Sequence, residues 1–162
     1  MGTLEKVFKA VSAVYDIFSK PESFNKGDKF ESFVRSDVYP QNDYTLLHMT
    51  HDYTANKNDF IETSKEPDFK FKSRKNGDEF YVEAKFRSRF YKQTIEWCKP
   101  YQLKRYKAIE INKKIPIFVV IGVGAIPKSP RHVYRIPLKD IKYTKLYLSF
   151  LTKYEISRKN MF

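Results

Sequence analysis

The 162 residues include 31 lysines and arginines against 19 aspartates and glutamates, a net charge of +12, which favours a polyanionic partner, nucleic acid ahead of an anionic membrane. With 41% hydrophobic and 17% aromatic residues, the composition excludes a disordered chain and fits a single domain. A lone cysteine, Cys98, excludes an internal disulfide, MGTLEKVFKA lacks the apolar core of a signal peptide, and the longest apolar run, IPIFVVIGVGAIP, falls short of the ~20 residues that span a bilayer. The expected setting is cytoplasmic, intracellular and reducing, with no membrane partner.

Leu4, Val7, Phe8, Val11, Val14, Tyr15 and Phe18 recur at three-and-four spacing and predict an amphipathic helix that Pro21 ends. With Asn25 as its cap, KGDKFESFVRSDVY predicts a second helix that buries Phe30, Phe33 and Val34 and carries Glu31 beside that stripe. YTLLHMT reads as a short strand, and HDYTANKNDFIETSKEP as a polar, turn-rich loop. Two strands then bracket SRKNGDE, where Asn76-Gly77 is a preferred pair for a tight hairpin turn. A helix starts at Pro100, with Leu103, Tyr106 or Lys107, and Ile109 or Glu110 sharing faces. IPIFVVIGVG is a continuous apolar run, the mark of a strand buried on both faces; HVYRIP predicts another strand, and Leu138 to Tyr154 a closing helix. No repeat or low-complexity segment is present. This order predicts an α/β domain with a mixed central β-sheet flanked by helices on both faces: an N-terminal helix within 1–25, a core over 26–136 and a C-terminal helical extension over 137–162.

The hairpin carries the chemistry. In FYVEAKF, Phe80, Val82, Ala84 and Phe86 fall on one strand face and Tyr81, Glu83 and Lys85 on the other; in PDFKFKS, Phe69 and Phe71 oppose Asp68, Lys70 and Lys72. If Asn76 and Gly77 are the two turn residues, Phe69 faces Ala84, Phe71 faces Val82, Lys70 faces Glu83 and Asp68 faces Lys85. Asp68, Glu83 and Lys85 then converge at one end of the hairpin. Two neighbouring carboxylates suit a hard divalent cation such as Mg²⁺, and an ammonium beside it can orient water or stabilise charge on a phosphate. The competing reading is a set of cross-strand ion pairs on a solvated face, each worth a fraction of a kcal/mol.

Pro67-Asp68 followed by Glu83-Ala84-Lys85 resembles the signature of the PD-(D/E)XK nuclease superfamily. Glu31 in GDKFESFV looks like the acid carried on the helix before the core sheet, and Gln102-Leu-Lys-Arg-Tyr106 is similar to the QxxxY motif of RecB-like nuclease domains. The resemblance spans residues 27 to 106 and implies a restriction-endonuclease-like core and a Mg²⁺-dependent nuclease acting on DNA, with Mn²⁺ able to substitute. On that resemblance Asp68, Glu83, the Ala84 carbonyl and Glu31 hold or orient the metal and its water, Lys85 positions the attacking water, and Gln102 and Tyr106 support the lysine or a substrate phosphate. Lys70, Lys72, Arg87, Arg89, Lys104 and Arg105 are candidate nucleic-acid contacts. A homodimer or a specificity-conferring protein partner is the expected route to two-strand cutting or target choice. The alternatives are an inactive nucleic-acid-binding module of the same fold and a nuclease directed at RNA. The iron–sulfur cysteines of some RecB-like relatives have no counterpart beyond Cys98, so no cluster is expected.

Other signals carry less. His48 and His51 read as incidental, because strand-and-loop geometry points them to opposite sides. Gly122 and Gly124 read as turn or close-packing glycines, and Trp97 with Cys98 as packing at a helix start. Tyr91 and Tyr101, near Arg87 and Arg89, could stack on unpaired bases but read first as core or ordinary surface.

Overall fold

The apolar run around Val120 sets the centre of the fold. A computed structural model describes residues 22–50 and 65–157; the helix expected over 4–18, most of the loop expected after Thr50, and His51 lie outside the described residues. In chain order the elements are α1 (Glu22–Phe33), β1 (Tyr44–Met49), β2 (Phe69–Ser73), β3 (Glu79–Arg87), β4 (Thr94–Glu96), α2 (Pro100–Lys113), β5 (Ile117–Ile126), β6 (Ser129–Pro137), β7 (Lys145–Tyr147) and the short α3 (Leu148–Leu151). The main sheet runs β1-β2-β3-β5-β6, and β4 pairs with β7 in a separate ribbon. Only β3 and β5 run parallel in these sheets, and a parallel pair requires a long crossover, which β4 and α2 supply.

Both faces of the sheet are buried, as the unbroken apolar run requires. Ile117, Val119, Ile121 and Val123 face one core together with Tyr81, Trp97 and Tyr106. Val120 faces the other with Phe30, Val34, Phe69, Phe71, Phe80, Val82 and Ala84. α1 thus covers one face and α2 the other, the expected mixed sheet between helices. Among the described residues no helix is long and apolar enough to cross a membrane.

Four expectations change. The α1 helix begins at Glu22, so Asn25 lies within its first turn rather than capping it. It passes into a π-helical turn over Val34–Val38, with Tyr39 N donating to Val34 O at 2.9 Å; Ser36 Oγ bonds back to Ser32 O at 3.0 Å, the kind of side-chain competition that loosens a helix end. The hairpin register is shifted by two residues: Phe69 faces Val82, Lys70 faces Tyr81 and Phe71 faces Phe80. Ser73 N donates to Asp78 O at 2.8 Å, so the loop holds Arg74 to Gly77. Asn76 Oδ1 accepts from Asp78 N at 3.1 Å, which closes this longer loop in place of a two-residue turn. Because the strand period is two, a shift of two keeps every side chain on its expected face. The closing helix is absent; Leu138 to Tyr154 forms a 3₁₀ turn, β7, α3 and a second 3₁₀ turn. Finally, Trp97 and Cys98 precede α2, whose N-cap is Lys99.

Gly122 fixes how closely α1 approaches the sheet. A Cβ at this position would lie 2.4 Å from Phe30 Cε2, so only glycine admits the Phe30 ring. Gly124 serves differently, its φ of +78° turning the end of β5. Gly122→Ala is expected to destabilise the protein by about 1–3 kcal/mol through overpacking, and Phe30→Leu in the same chain to recover part of the loss, both read by urea unfolding.

Candidate active site

Glu83 sits in the middle of β3 at 2% exposure, on the face covered by α2. A buried carboxylate is costly unless partnered, and three groups meet it. Lys85 Nζ lies 2.6 Å from Glu83 Oε1, the Asp68 backbone N–H donates to Oε2 at 3.3 Å, and the Tyr106 hydroxyl comes close enough to the same carboxylate to be shifted by it. This excludes the solvated-face reading of Glu83. Burial and the Glu83 and Asp68 carboxylates together push the Tyr106 phenol far up, so it remains a protonated donor.

Asp68 stands just before β2. Its side chain replaces a missing rung of the sheet, Oδ2 accepting from Ala84 N at 2.8 Å. Continuing the hairpin register places Pro67 opposite Ala84, and proline has no N–H to offer the Ala84 carbonyl. That oxygen is thereby released from the β2 ladder next to the two carboxylates. Pro67 O itself accepts from Thr50 Oγ1 at 2.8 Å, and Thr50 N donates to Asp68 O at 2.8 Å.

Burial, then repulsion from Glu83 and Glu31, hold the Asp68 carboxyl well above the ordinary range in spite of Lys85 and the Ala84 N–H. This also locates Glu31: α1 brings it close enough to Asp68 to act on its charge. For Lys85, burial works to lower the pKa, but Glu83 and Asp68 outweigh it and the net shift is upward. Lys85 is therefore an ammonium at neutral pH. The nearby Cys98 thiol is pushed up to about 11, chiefly by burial, which disfavours a thiolate nucleophile.

Among the described residues no three His, Cys, Asp or Glu side chains form a metal-binding group. A magnesium ion needs less than that, since it takes one or two carboxylates and completes its shell with water and substrate phosphate oxygens. Asp68, Glu83 and the Ala84 carbonyl are the groups that could meet this requirement, and a divalent cation would relieve the repulsion that raises Asp68.

The remaining expected residues divide. Gln102 lines a cleft of about 310 Å³ with Lys85, Arg87, Glu96, Trp97 and Lys99, but its Oε1 accepts from Lys99 N at 2.9 Å and so caps α2; no bond to Lys85 is formed. Arg87 is spent on structure, donating to Glu96 O and Trp97 O, each at 3.0 Å, which removes it from the free nucleic-acid contacts. Lys70 pairs with Glu79 at 2.9 Å rather than with Glu83, and Arg105 lies over the Tyr106 ring at 5.3 Å. Lys72, Arg89 and Lys104 remain exposed. His48 lies in β1, apart from the cluster that acts on Asp68.

A clamp that no spacing rule suggests holds the first acid in place. Glu66 bonds to Lys113 of α2, Lys113 Nζ donates to Tyr81 Oη at 3.2 Å, and the Tyr81 hydroxyl reaches Glu66 Oε1 at 3.5 Å. These contacts fasten the residue two before Asp68 to β3 and α2, across a sequence separation with no local signature.

No protein-family model and no curated protein matches this chain. Among solved structures it is similar to a Holliday junction resolvase, Hjc, from Archaeoglobus fulgidus, with a TM-score of 0.55 and 11% identity, over 82% of this chain and 91% of that one. The fold is thus the restriction-endonuclease-like one, a mixed five-stranded sheet between helices.

Because the Asp68 pKa is raised on folding, its stabilising contribution is complete below the ordinary carboxylate range and is lost as pH rises through the raised value. Asp68→Asn, neutral throughout, is therefore expected to gain thermal stability over the wild type as pH rises through that window, in EDTA, and to show no gain at the acid end. A pH-independent difference between the two melting curves would contradict the assigned shift.

Proposed function

We propose that this protein is a metal-dependent nuclease that hydrolyses phosphodiester bonds in DNA. The carrying observation is the convergence of Asp68, Glu83 and Lys85 beside a carbonyl released by Pro67, within a fold shared with a DNA junction resolvase. A Mg²⁺ ion held by Asp68, Glu83 and the Ala84 carbonyl would neutralise charge on the scissile phosphate and lower the pKa of the attacking water. Binding would be favoured as pH rises through the raised Asp68 pKa, since a carboxylate must lose its proton to ligate.

The protein groups have distinct tasks in this reading. Lys85, kept protonated by Glu83 and Asp68, is not a general base; its ammonium orients the water and stabilises negative charge developing on the phosphate. Tyr106 fixes the Glu83 carboxylate from α2, and Glu31 adds an acceptor from α1 for a water in the same space. Gln102 shapes the cleft wall through its capping bond. Target choice would rest on nucleic-acid structure, on a homodimer or on a partner protein.

Labelled duplex, single-stranded and branched DNA, with RNA as control, incubated with Mg²⁺, Mn²⁺ or EDTA, provides the test. Cleavage is expected to need the metal and to fall at least about a hundredfold in Glu83→Ala and in Lys85→Ala. Activity that survives both substitutions would refute the site; binding of DNA without cleavage of any substrate would identify a module that kept the fold and lost the chemistry.

A further inference from the structure

The β4–β7 ribbon adjoins the proposed cleft. Arg87 joins it to the end of β3 through Glu96 O and Trp97 O. Trp97 in turn holds the next segment, its Nε1 donating to Tyr143 O at 3.1 Å and its backbone N to Thr144 O at 3.0 Å. Glu96, which lines the cleft with Lys85, pairs with Lys145 in the ribbon. The ribbon thus borders the cleft that Lys85 lines.

What the ribbon presents is unusual for a solvated edge. Tyr143 is 71% exposed and Tyr147 60%, and with Leu146 and Phe150 they line an almost wholly apolar cavity of about 310 Å³, with Lys142 and Lys145 on its wall. Asp140, also on the wall, is held by the Tyr154 hydroxyl at 3.1 Å. The adjoining tight turn places a third tyrosine, Tyr91, at 71% exposure. Its central residues Lys92 and Gln93 adopt φ values of 47° and 60°, a conformation usually left to glycine or asparagine and most often retained where function requires it. Apolar aromatic walls with lysines beside them match one chemistry closely: a flat base removed from its stack, flanked by phosphates.

We propose that this ribbon binds an unpaired nucleobase, so that the substrate class is nucleic acid with single-stranded or unstacked nucleotides next to the scissile bond. The proposal rests on the nuclease reading above and deepens it. Tyr143 and Tyr147 supply the stacking walls, and Lys142 and Lys145 contact the flanking phosphates. Fully paired duplex, whose bases are already stacked, gains nothing from the cavity.

The test compares affinity, in EDTA, for a fluorescein-labelled single strand and a duplex of equal length, together with the fluorescence of a strand carrying 2-aminopurine. Tyr143→Ala and Tyr147→Ala are each expected to weaken single-strand binding about tenfold with duplex affinity unchanged, and to abolish the quenching of 2-aminopurine that the wild type produces. Tyr143→Phe, which keeps the ring, should bind as the wild type does. Equal weakening on both substrates, or none on either, overturns the proposal while leaving metal-dependent cleavage as a separate result. Failure of the wild type to bind any nucleic acid overturns this proposal and the nuclease reading together.

Discussion

The Glu83 side chain, enclosed at the centre of the sheet, is the constraint on which the surrounding structure depends. Removing a carboxylate from water costs several kcal/mol even after the protein relaxes, and the compensation comes from three directions. Lys85 must extend back along the same face, which requires β3 to stay regular through both residues. Tyr106 must reach down from α2, which requires that helix to lie across β3 rather than beside it. Its placement is secured by Pro100 and the Gln102 capping bond at its start and by Trp97 stacking on Tyr106 at 6.3 Å. The helix start, the ribbon beneath Trp97 and the charge on Lys85 are thus tied to one buried group.

Asp68 is fixed by the end of a ladder rather than by its middle. Residue 67 is where β2 would accept another rung, and proline there stops the exchange of hydrogen bonds with Ala84. The Asp68 carboxylate takes the Ala84 N–H in its place. Stopping a strand by proline leaves a loose end unless something else holds it. Thr50 ties Pro67 and Asp68 to the end of β1, and the Glu66, Lys113 and Tyr81 contacts tie the preceding residue to the opposite side. Site and scaffold therefore share the same bonds.

Much of this was legible because it was periodic. The unbroken run in β5 announced burial on both faces, and alternation in the hairpin put Asp68, Glu83 and Lys85 on one face even though the register was wrong by two. An error of one residue would have scattered them. What escaped was short or long-range. Three-residue strands such as Thr94–Glu96 and Lys145–Tyr147 contain too few positions to show a period, and the apolar residues of the C-terminal segment matched helical spacing while serving a ribbon and turns. The Glu66 to Lys113 contact spans 47 residues, so no local pattern encodes it. Gln102 illustrates a further limit: its spacing to Tyr106 matched a motif, yet the first turn of its own helix offered the nearer donor.

The distribution of charge in this protein runs against its total. The net charge of +12 would draw a polyanion inward, but the point where its backbone would react presents Asp68, Glu83 and Glu31, whose repulsion outweighs Lys85 at Asp68. A phosphate approaching that cluster gains nothing from the acids themselves. On the proposed reading the conflict is the source of selectivity: the basic exterior gathers nucleic acid without regard to sequence, and reaction is confined to the one position where buried carboxylates concentrate a divalent cation. Stability and reactivity then pull in opposite directions at Asp68. Folding alone would favour its protonated form, and the task assigned to it requires the ionised one.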